Sequence, residues 1–579
     1  MKLKQKLKKT LLGTLIAATA LTALAPATLS CPEAKSKQST TYQNEVFTKA
    51  LYKKTSKIGF GPDGSTVASD KPTVKKVYRL LSKMKLKVNK KASKLDKDGF
   101  VQVTLYKKDG KMKDYQFTGN LMYSGKKIYT VVKNNPVEKL QKIFQTGSTT
   151  GNNSKYRVAA ANYPKIAPYP DEADFVKKNG EIDYDKYSAA YDEWWKDVRA
   201  RRDITGYADN LDSFLTKSAQ QFLNAEEKEN RVYSPLNVYM ALGMLAELTD
   251  GNSRQQILDL LGSKDINSLR KQSFDLWNAQ YRNDKTVTNI LASSLWLNKD
   301  VNFVQPTLDI LAKNYYASSY HGEMGSMEFD QALQDWLNEQ TGGLLKNEAS
   351  NIKMNPNTVL ALATTLYYRA KWRDEFAEAK TKEDIFHADS EDVSCDFMHK
   401  EKASKTYYWG DKFSAVSESL ENSGDMWFLL PDEGTSIDDL LNDSQAMEFL
   451  MDSKREEWEN KKYCLVNLSV PKFDVSSQFD LGDGLKALGV TDVFDYNVSD
   501  FSPMTTDPLP IYVSRANHAG RVKIDEKGVI AAAFTVIMMD AGAAMPPDEV
   551  VDFVLDRPFL FAVTGSDGLP LFVGVVNHP

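Results

Sequence analysis

This chain of 579 residues contains serines, histidines and other residues that can carry out catalysis or bind metals. Their spacing matches no known catalytic or metal-binding motif. No serine lies in the Gly-x-Ser-x-Gly turn that exposes a hydrolase nucleophile. The histidines show no metal-ligand spacing, and they are His321, His387, His399, His518 and His578. We therefore expect a protein that is not an enzyme and that uses no metal and no cofactor.

One apolar segment could change its structure rather than perform catalysis. Residues 528–539 include neither a charged residue nor a proline. Proline would remove a donor from a strand ladder, and a buried unpaired charge would cost several kcal/mol. Because alternate residues of a strand face the same side, one register would bury Val529, Ala531, Ala533, Thr535, Ile537 and Met539. The segment is thus able to become a central strand, and a plain buried strand is the competing interpretation.

The regions that must position this segment differ strongly in charge. Residues 41–150 have 24 Lys and Arg against 8 Asp and Glu, a net charge of +16. Residues 151–579 have 43 against 68, a net charge of −25. Such a contrast predicts separate domains with different surroundings.

The N-terminus is typical of an export signal. Lysines precede an apolar stretch at 11–24 that is too short for a stable membrane anchor, and small residues at 25–27 suit cleavage. We therefore predict a signal peptide over residues 1–27. A lipoprotein signal over residues 1–30, with a lipid anchor at Cys31, is the alternative. Either way we expect a secreted or extracellular protein, held at the cell surface if Cys31 is lipidated.

Composition and periodicity divide the rest of the chain into four parts. Residues 28–71 are interpreted as a polar tether. Residues 72–144 are predicted to form a small basic α+β domain. Residues 145–204 are interpreted as a linker and an N-terminal extension, with a helix over residues 184–202. Residues 205–579 alternate between helical and strand patterns, which predicts one large α+β domain.

Ordered motifs along residues 205–579 resemble those of the serpin family. They stand at 233–238, 251–257, 360–372, 430–434, 470–473, 557–561 and 571–579. Each motif alone is weak, but their shared order covers nearly a whole serpin domain. The resemblance implies an α+β serpin fold, in which helices surround a large central β-sheet with a mobile reactive loop. Here the small basic α+β domain precedes it.

The segment at 524–535 resembles the hinge of the serpin reactive loop. The resemblance assigns the hinge to Glu526, Gly528, Val529, Ala531, Ala532, Ala533 and Thr535. Counting from the hinge glycine, as in the family, places the reactive bond at Gly542–Ala543, within a range from Asp540 to Met545. The region where the strands open is assigned to Ser234, Asn237, Thr364, Trp372 and His518. Val529, Ile530 and Phe534 depart from the usual hinge pattern.

The resemblance also implies a function. We expect a serine protease inhibitor that acts as a suicide substrate through loop cleavage, acyl-enzyme trapping and loop insertion. The small residues at 541–544 favour elastase-like targets, and a papain-like cysteine protease is an alternative target. A non-inhibitory binding protein or a cell-surface interaction protein is the alternative function.

Two further partner predictions follow from charge and export. Residues 41–150 are basic enough to contact an anionic cell-wall polymer or a membrane surface. Because the chain leaves the cytoplasm, we do not expect it to bind nucleic acid. We expect a monomer.

Overall fold

The computed structural model describes most of the chain after residue 45. The described residues are 46–579, except 62–65, 69–70, 90–100, 109–110, 119, 126, 138, 141–151, 178–180, 225–228, 346–348, 351, 390 and 530–548. Within them, no helix is both long and apolar enough to cross a bilayer.

The α-helices of these residues are α1 (Lys49–Lys54), α2 (Lys71–Ser82), α3 (Tyr184–Arg202), α4 (Asp212–Leu223), α5 (Pro235–Leu248), α6 (Gly251–Leu260), α7 (Ile266–Gln280), α8 (Gln305–Asn314), α9 (Met327–Gln340), α10 (Ile437–Leu441), α11 (Ser444–Met451) and α12 (Gly482–Ala487). The first strands are β1 (Thr55–Gly61), β2 (Thr66–Ala68), β3 (Lys85–Val88), β4 (Val101–Lys107), β5 (Met112–Thr118), β6 (Leu121–Ser124), β7 (Lys127–Lys133) and β8 (Arg157–Ala159). The middle strands are β9 (Arg231–Tyr233), β10 (Arg282–Asn283), β11 (Thr288–Asn298), β12 (Ala317–Gly322), β13 (Leu360–Lys371), β14 (Lys382–His387), β15 (Asp392–Trp409) and β16 (Phe413–Ser419). The last are β17 (Asp425–Pro431), β18 (Lys461–Pro471), β19 (Asp474–Asp480), β20 (Asn517–Asp525), β21 (Gly528–Val529), β22 (Val550–Val554), β23 (Phe559–Thr564) and β24 (Pro570–Val576).

The basic region has a sheet and a core of its own. Its described strands follow the order β2-β1-β4-β5-β6-β7-β3, and all neighbours are antiparallel. Val77 and Leu81 of α2 are fully buried in the same cluster as Ile58 and Phe60 of β1. The interpretation of residues 28–71 as a tether is therefore wrong for 49–61, because two apolar residues of β1 anchor that stretch in the core.

The central sheet positions the predicted loop. Its described strands run in the order β19-β20-β21-β13-β11-β12-β8, and β10 pairs with β11. Beneath it, every residue of α5 except Ala241 is buried, as expected of a helix that is apolar on all sides. Strands β13 and β20 are not paired with each other among the described residues. Strand β21 stands between them, but it pairs with each of them over two residues only.

The second sheet of the large domain follows the order β22-β18-β15-β16-β17-β23-β24-β9, with β14 paired to β15. Strands β23 and β24 are completely buried, and such continuous apolar strands belong in the middle of a core. The first strand of the domain, β9, pairs with the last, β24. This closure explains why motifs at both ends of residues 205–579 belong to one unit.

The extension belongs to the folded body and is not only a linker. Helix α3 spans the residues for which the sequence predicts a helix, but β8 adds an edge strand to the central sheet by pairing with β12. The Tyr156 ring packs 4.9 Å from that of Phe329 in α9, centroid to centroid. Further along, Tyr163 packs at 5.0 Å from Trp277 of α7. Aromatic side chains and strand pairing therefore attach the extension to the domain at β8, at Tyr156 and at Tyr163.

Candidate functional site

The hinge begins where the central sheet is open. Gly528 lies opposite Lys371 of β13 and Asp525 of β20, and Val529 lies opposite Ala370 and Ile524. A Cβ atom on Gly528 would stand 2.4 Å from the Ala370 carbonyl oxygen. Only glycine fits so close to another backbone, which gives the predicted hinge glycine a steric reason.

Trp372 holds the backbone just before the hinge. Its indole Nε1 donates to the Asp525 carbonyl oxygen at 2.8 Å. Its backbone N–H donates to the Lys527 carbonyl oxygen at 3.1 Å. The backbone N–H of Phe376 donates to the Glu526 carbonyl oxygen at 2.9 Å. The sequence groups Trp372 with the strand-opening region, and the structure places it beside the hinge.

Glu526 is fixed by its side chain as well. Its Oε1 accepts a hydrogen bond from Thr381 Oγ1 at 2.8 Å and lies 3.2 Å from Lys472 Nζ. Burial would raise the pKa of this carboxyl, but its own backbone N–H, Thr381 and Lys472 together hold the pKa below its ordinary value. The stretch before the loop is thus held by charge and by backbone hydrogen bonds.

Of the residues assigned to the strand-opening region, Ser234 and His518 are in contact with each other. The backbone N–H of Ser234 donates to His518 Nε2 at 3.2 Å, and Ser234 Oγ donates to the Leu571 carbonyl oxygen at 2.8 Å. Complete burial lowers the pKa of His518 to about 4, so its ring is neutral at pH 7. Asn237 is buried nearby on α5. Thr364 is half-buried on β13 and joins neither Ser234 nor His518 by a described hydrogen bond.

Most of the predicted loop lies outside the described residues. This applies to Ala531, Ala532, Ala533, Thr535, Gly542 and Ala543, and to the whole range 540–545. Their placement stays a prediction. Val529, the last described residue before the gap, is 2% exposed, and the predicted register gives it the core-facing side.

Sequence reasoning missed the residues that hold Glu526. Lys472 and Thr381 are 54 and 145 positions from Glu526, respectively. Lys472 lies within the motif at 470–473, but no local pattern indicates that either residue meets a hinge carboxylate. The one available signal is the opposite charge of Lys472.

Known proteins resemble residues 209–579 in sequence and in fold. Residues 209–579 match the profile of the family described as serpin (serine protease inhibitor). Mouse neuroserpin is 28% identical over 371 residues, which cover 61% of this chain and 87% of neuroserpin. The structure of the thermophilic serpin tengpin in its native state has a TM-score of 0.56 and 25% identity, covering 64% of this chain and 93% of tengpin. The structure of human thyroxine-binding globulin complexed with thyroxine has a TM-score of 0.54 and 22% identity. The match covers 65% of this chain and 100% of the globulin. The chain therefore belongs to the serpin family.

Proposed function

We propose that this serpin is an inhibitor that traps its target protease by inserting the cleaved loop into the central sheet. The observation that carries the proposal is β21, where the hinge already pairs with β13 on one side and β20 on the other for two residues. Below those residues the facing edges of β13 and β20 have no partner strand among the described residues. A segment that continues from Val529 would supply that strand.

The proposed reaction is a race between two steps. The nucleophile of the protease attacks the Gly542 carbonyl carbon, the bond to Ala543 breaks, and the new amino group at Ala543 leaves with the proton it receives. The acyl-enzyme then either reacts with water or is carried away as the loop enters the sheet. Insertion is favourable because it pairs two strand edges and buries apolar side chains.

Small residues support an elastase-like target. Residues 541–544 are Ala, Gly, Ala and Ala, which suit a shallow specificity pocket. Neither Lys nor Arg lies within 528–556, so a protease that requires a basic residue before the cut is a poor match. A papain-like cysteine protease is the second target class to test.

The decisive experiment is a denaturing gel after incubation with an elastase-like protease. We expect a covalent complex that survives SDS. Ala533→Arg would place a charge on the face that must be buried, so the loop should be cut without trapping. Ala532→Arg is the matched control, because Ala532 belongs to the opposite face of the predicted strand. The covalent complex of this variant should persist. Cleavage without a complex in the wild-type chain, and without a rise in heat stability, would contradict inhibition.

A non-inhibitory binding role is the second candidate, and specific residues favour it. The hinge has Val529 and Ile530 where inhibitory relatives usually have small polar and acidic residues, and Phe534 is larger than usual. Human thyroxine-binding globulin, which has this fold, is described as a complex with thyroxine. Restoring the usual residues with V529T and I530E should increase the yield of covalent complex if the departures only slow insertion.

We also propose that the inhibitor is exported and kept near the cell surface. The signal at 1–27, or a lipid at Cys31, would direct export. The +16 charge of residues 41–150 would attract an anionic wall polymer or lipid headgroup. Deleting residues 32–150 behind an intact signal should release the protein from the cell fraction. Retention of the deleted protein would contradict this role for the basic region.

A further inference from the structure

The positive charge of the basic domain is concentrated on one of its faces. Asp114 is the only carboxylate that the structure describes between residues 46 and 140, and its side chain accepts from Thr104 Oγ1 at 2.7 Å. Because Tyr115 beside it faces the core, Asp114 lies on the opposite face of the sheet. The face that bears α2 instead exposes cations, which are Lys75, Lys76, Arg79 and Lys83. Among the described residues, that face therefore carries positive charge without a carboxylate.

A second helix extends this face. Tyr52 of α1 packs 5.0 Å from Tyr78 of α2, centroid to centroid, and the Tyr78 hydroxyl donates to the Thr48 carbonyl oxygen at 2.8 Å. Helix α1 exposes Lys49 and Lys53, which are four positions apart and so lie on the same side of the helix. We refer to the exposed cations of both helices as the cationic face, which comprises Lys49, Lys53, Lys75, Lys76, Arg79 and Lys83.

The cations of α2 form a regular row. Lys75, Arg79 and Lys83 follow one another in steps of four residues, each ~6 Å along a helix axis. Lys83 belongs to the last turn, because its backbone N–H donates to the Leu80 carbonyl oxygen at 3.1 Å. A polymer with one negative charge in each short repeat can place successive charges against such a row. A polyol phosphate, in which phosphodiester groups alternate with small alcohol units, has this pattern.

The apolar side of α2 is closed to a membrane. Its apolar residues Val74, Val77 and Leu81 are buried against the sheet. A helix that lies in the surface of a bilayer inserts an apolar face between the lipids. The described side chains that α2 exposes are instead charged, apart from Ser82. Contact by charge alone favours a hydrated polymer over a lipid surface.

We propose that the cationic face binds an extracellular polyol-phosphate polymer. This inference rests on the proposed retention of the inhibitor near the cell surface, and it narrows that role to one face of one domain and to one chemical class of partner. The lysine ammonium groups and the Arg79 guanidinium donate to the phosphate oxygens of successive repeats. Binding releases the counterions that surround the polymer, so the affinity depends steeply on salt.

The test uses the purified full chain and poly(glycerol phosphate) as the probe. Calorimetric titration should show saturable binding, and the logarithm of the binding constant should fall linearly with the logarithm of the salt concentration. Uncharged dextran is the control polymer and should not bind. Absence of binding to poly(glycerol phosphate) at about 50 mM salt, where such contacts are strong, would overturn the proposal.

Polymer binding can be told apart from retention at the cell surface, because the titration needs neither export nor cells. Polymer binding by a purified protein that cells do not retain would support the cationic face and contradict retention. Retention of the full chain without polymer binding would overturn the cationic face alone.

Two double variants remove the same charge from opposite faces of the domain. Lys75→Gln with Arg79→Gln should weaken polymer binding at least about tenfold and flatten the salt dependence by roughly 1.4 in slope. Lys85→Gln with Lys87→Gln is the matched control, because Leu86 between them is buried in the core and both lysines are exposed on the other face of the sheet. The control should bind within about twofold of the wild type. Equal losses in both variants would show attraction to net charge only and would overturn the site.

Lipid vesicles decide between a polymer and a membrane. Vesicles of phosphatidylglycerol present the same phosphodiester charge on a lipid surface, and vesicles of phosphatidylcholine are their uncharged control. We expect the full chain to bind poly(glycerol phosphate) more tightly than phosphatidylglycerol vesicles at equal concentration of accessible phosphate. Tighter binding to the vesicles would overturn the assignment of a polymer.

Discussion

The central sheet is closed at one side and open in its interior. At the closed side, β8 covers β12, and Asn153 Nδ2 donates to the Ala332 carbonyl oxygen of α9 at 3.0 Å. In the interior, β13 and β20 are held apart by a hinge of two paired residues. An unprotected sheet edge invites pairing with any passing strand. Under the proposed mechanism, the reactive loop would fill the interior edges, whereas β8 already covers β12.

On the closed side, Asp284→Ala is expected to cause the largest loss of stability. Asp284 Oδ2 accepts from Trp194 Nε1 of the extension at 2.9 Å and from Arg282 of the body. Removing this fully buried carboxylate leaves Arg282 buried without a counter-charge, so we expect a loss of about 3–5 kcal/mol in the free energy of unfolding. Urea unfolding measures it. The exposed Asp309→Ala should change stability by less than about 0.5 kcal/mol. Similar losses for both variants would show that the extension is not anchored there.

Acid should weaken the open side through His518. Its folded pKa is about 4, below an unfolded value of about 6.5, so the unfolded state binds the proton first. Stability from the neutral ring is complete above pH 6.5 and falls as the pH drops towards 4, by about 3 kcal/mol in all. Unfolding of the wild type and of His518→Gln should be compared across this range. The difference in the free energy of unfolding between the wild type and the variant should shrink as the pH falls. A difference that stays constant would contradict a neutral, buried ring.

Tyr163→Ala should produce a smaller loss on the closed side. The Tyr163 ring packs against Trp277, Tyr281 and Tyr316 at centroid distances of 5.0, 5.6 and 6.0 Å. Truncating it removes apolar contact and aromatic packing, which we expect to cost about 2 kcal/mol. Tyr184→Ala provides the control, because Tyr184 is 65% exposed. Thermal unfolding that separates the two variants by less than the error of measurement would refute this anchor.

The smallest expected effect concerns the hinge carboxylate. Glu526→Gln should cost about 1 kcal/mol at pH 7, because its ion pair with Lys472 is only partly buried. Since the folded pKa of Glu526 is lowered, this contribution is complete above the unfolded pKa of about 4.3 and is lost as the pH falls through the folded value. A double-mutant cycle with Lys472→Met measures the coupling. Coupling that does not decline towards acid would argue against the ion pair.

Sequence reasoning succeeded where a local pattern determines the structure. The spacing at 184–202 predicts a helix from neighbouring residues alone, and Gly528 follows from the order of the hinge motif. Strand β8 was missed because three residues, Arg157–Ala159, show no strand alternation, and their pairing depends on β12 far along the chain. The hydrogen bond from Trp372 was missed for the same reason, because its partner at Asp525 is 153 positions away.

The pairing of β9 with β24 determines when this domain can be completed during synthesis. Asn230 Nδ2 donates to the His578 carbonyl oxygen across 348 positions of chain, and both strands run through the apolar core. In a growing chain, Val232 cannot pair with Gly574 in the sheet until more than 340 further residues have been made. Contacts this distant in sequence form slowly. The second sheet of the serpin domain is therefore completed only late in translation, a delay that would suit the export we propose.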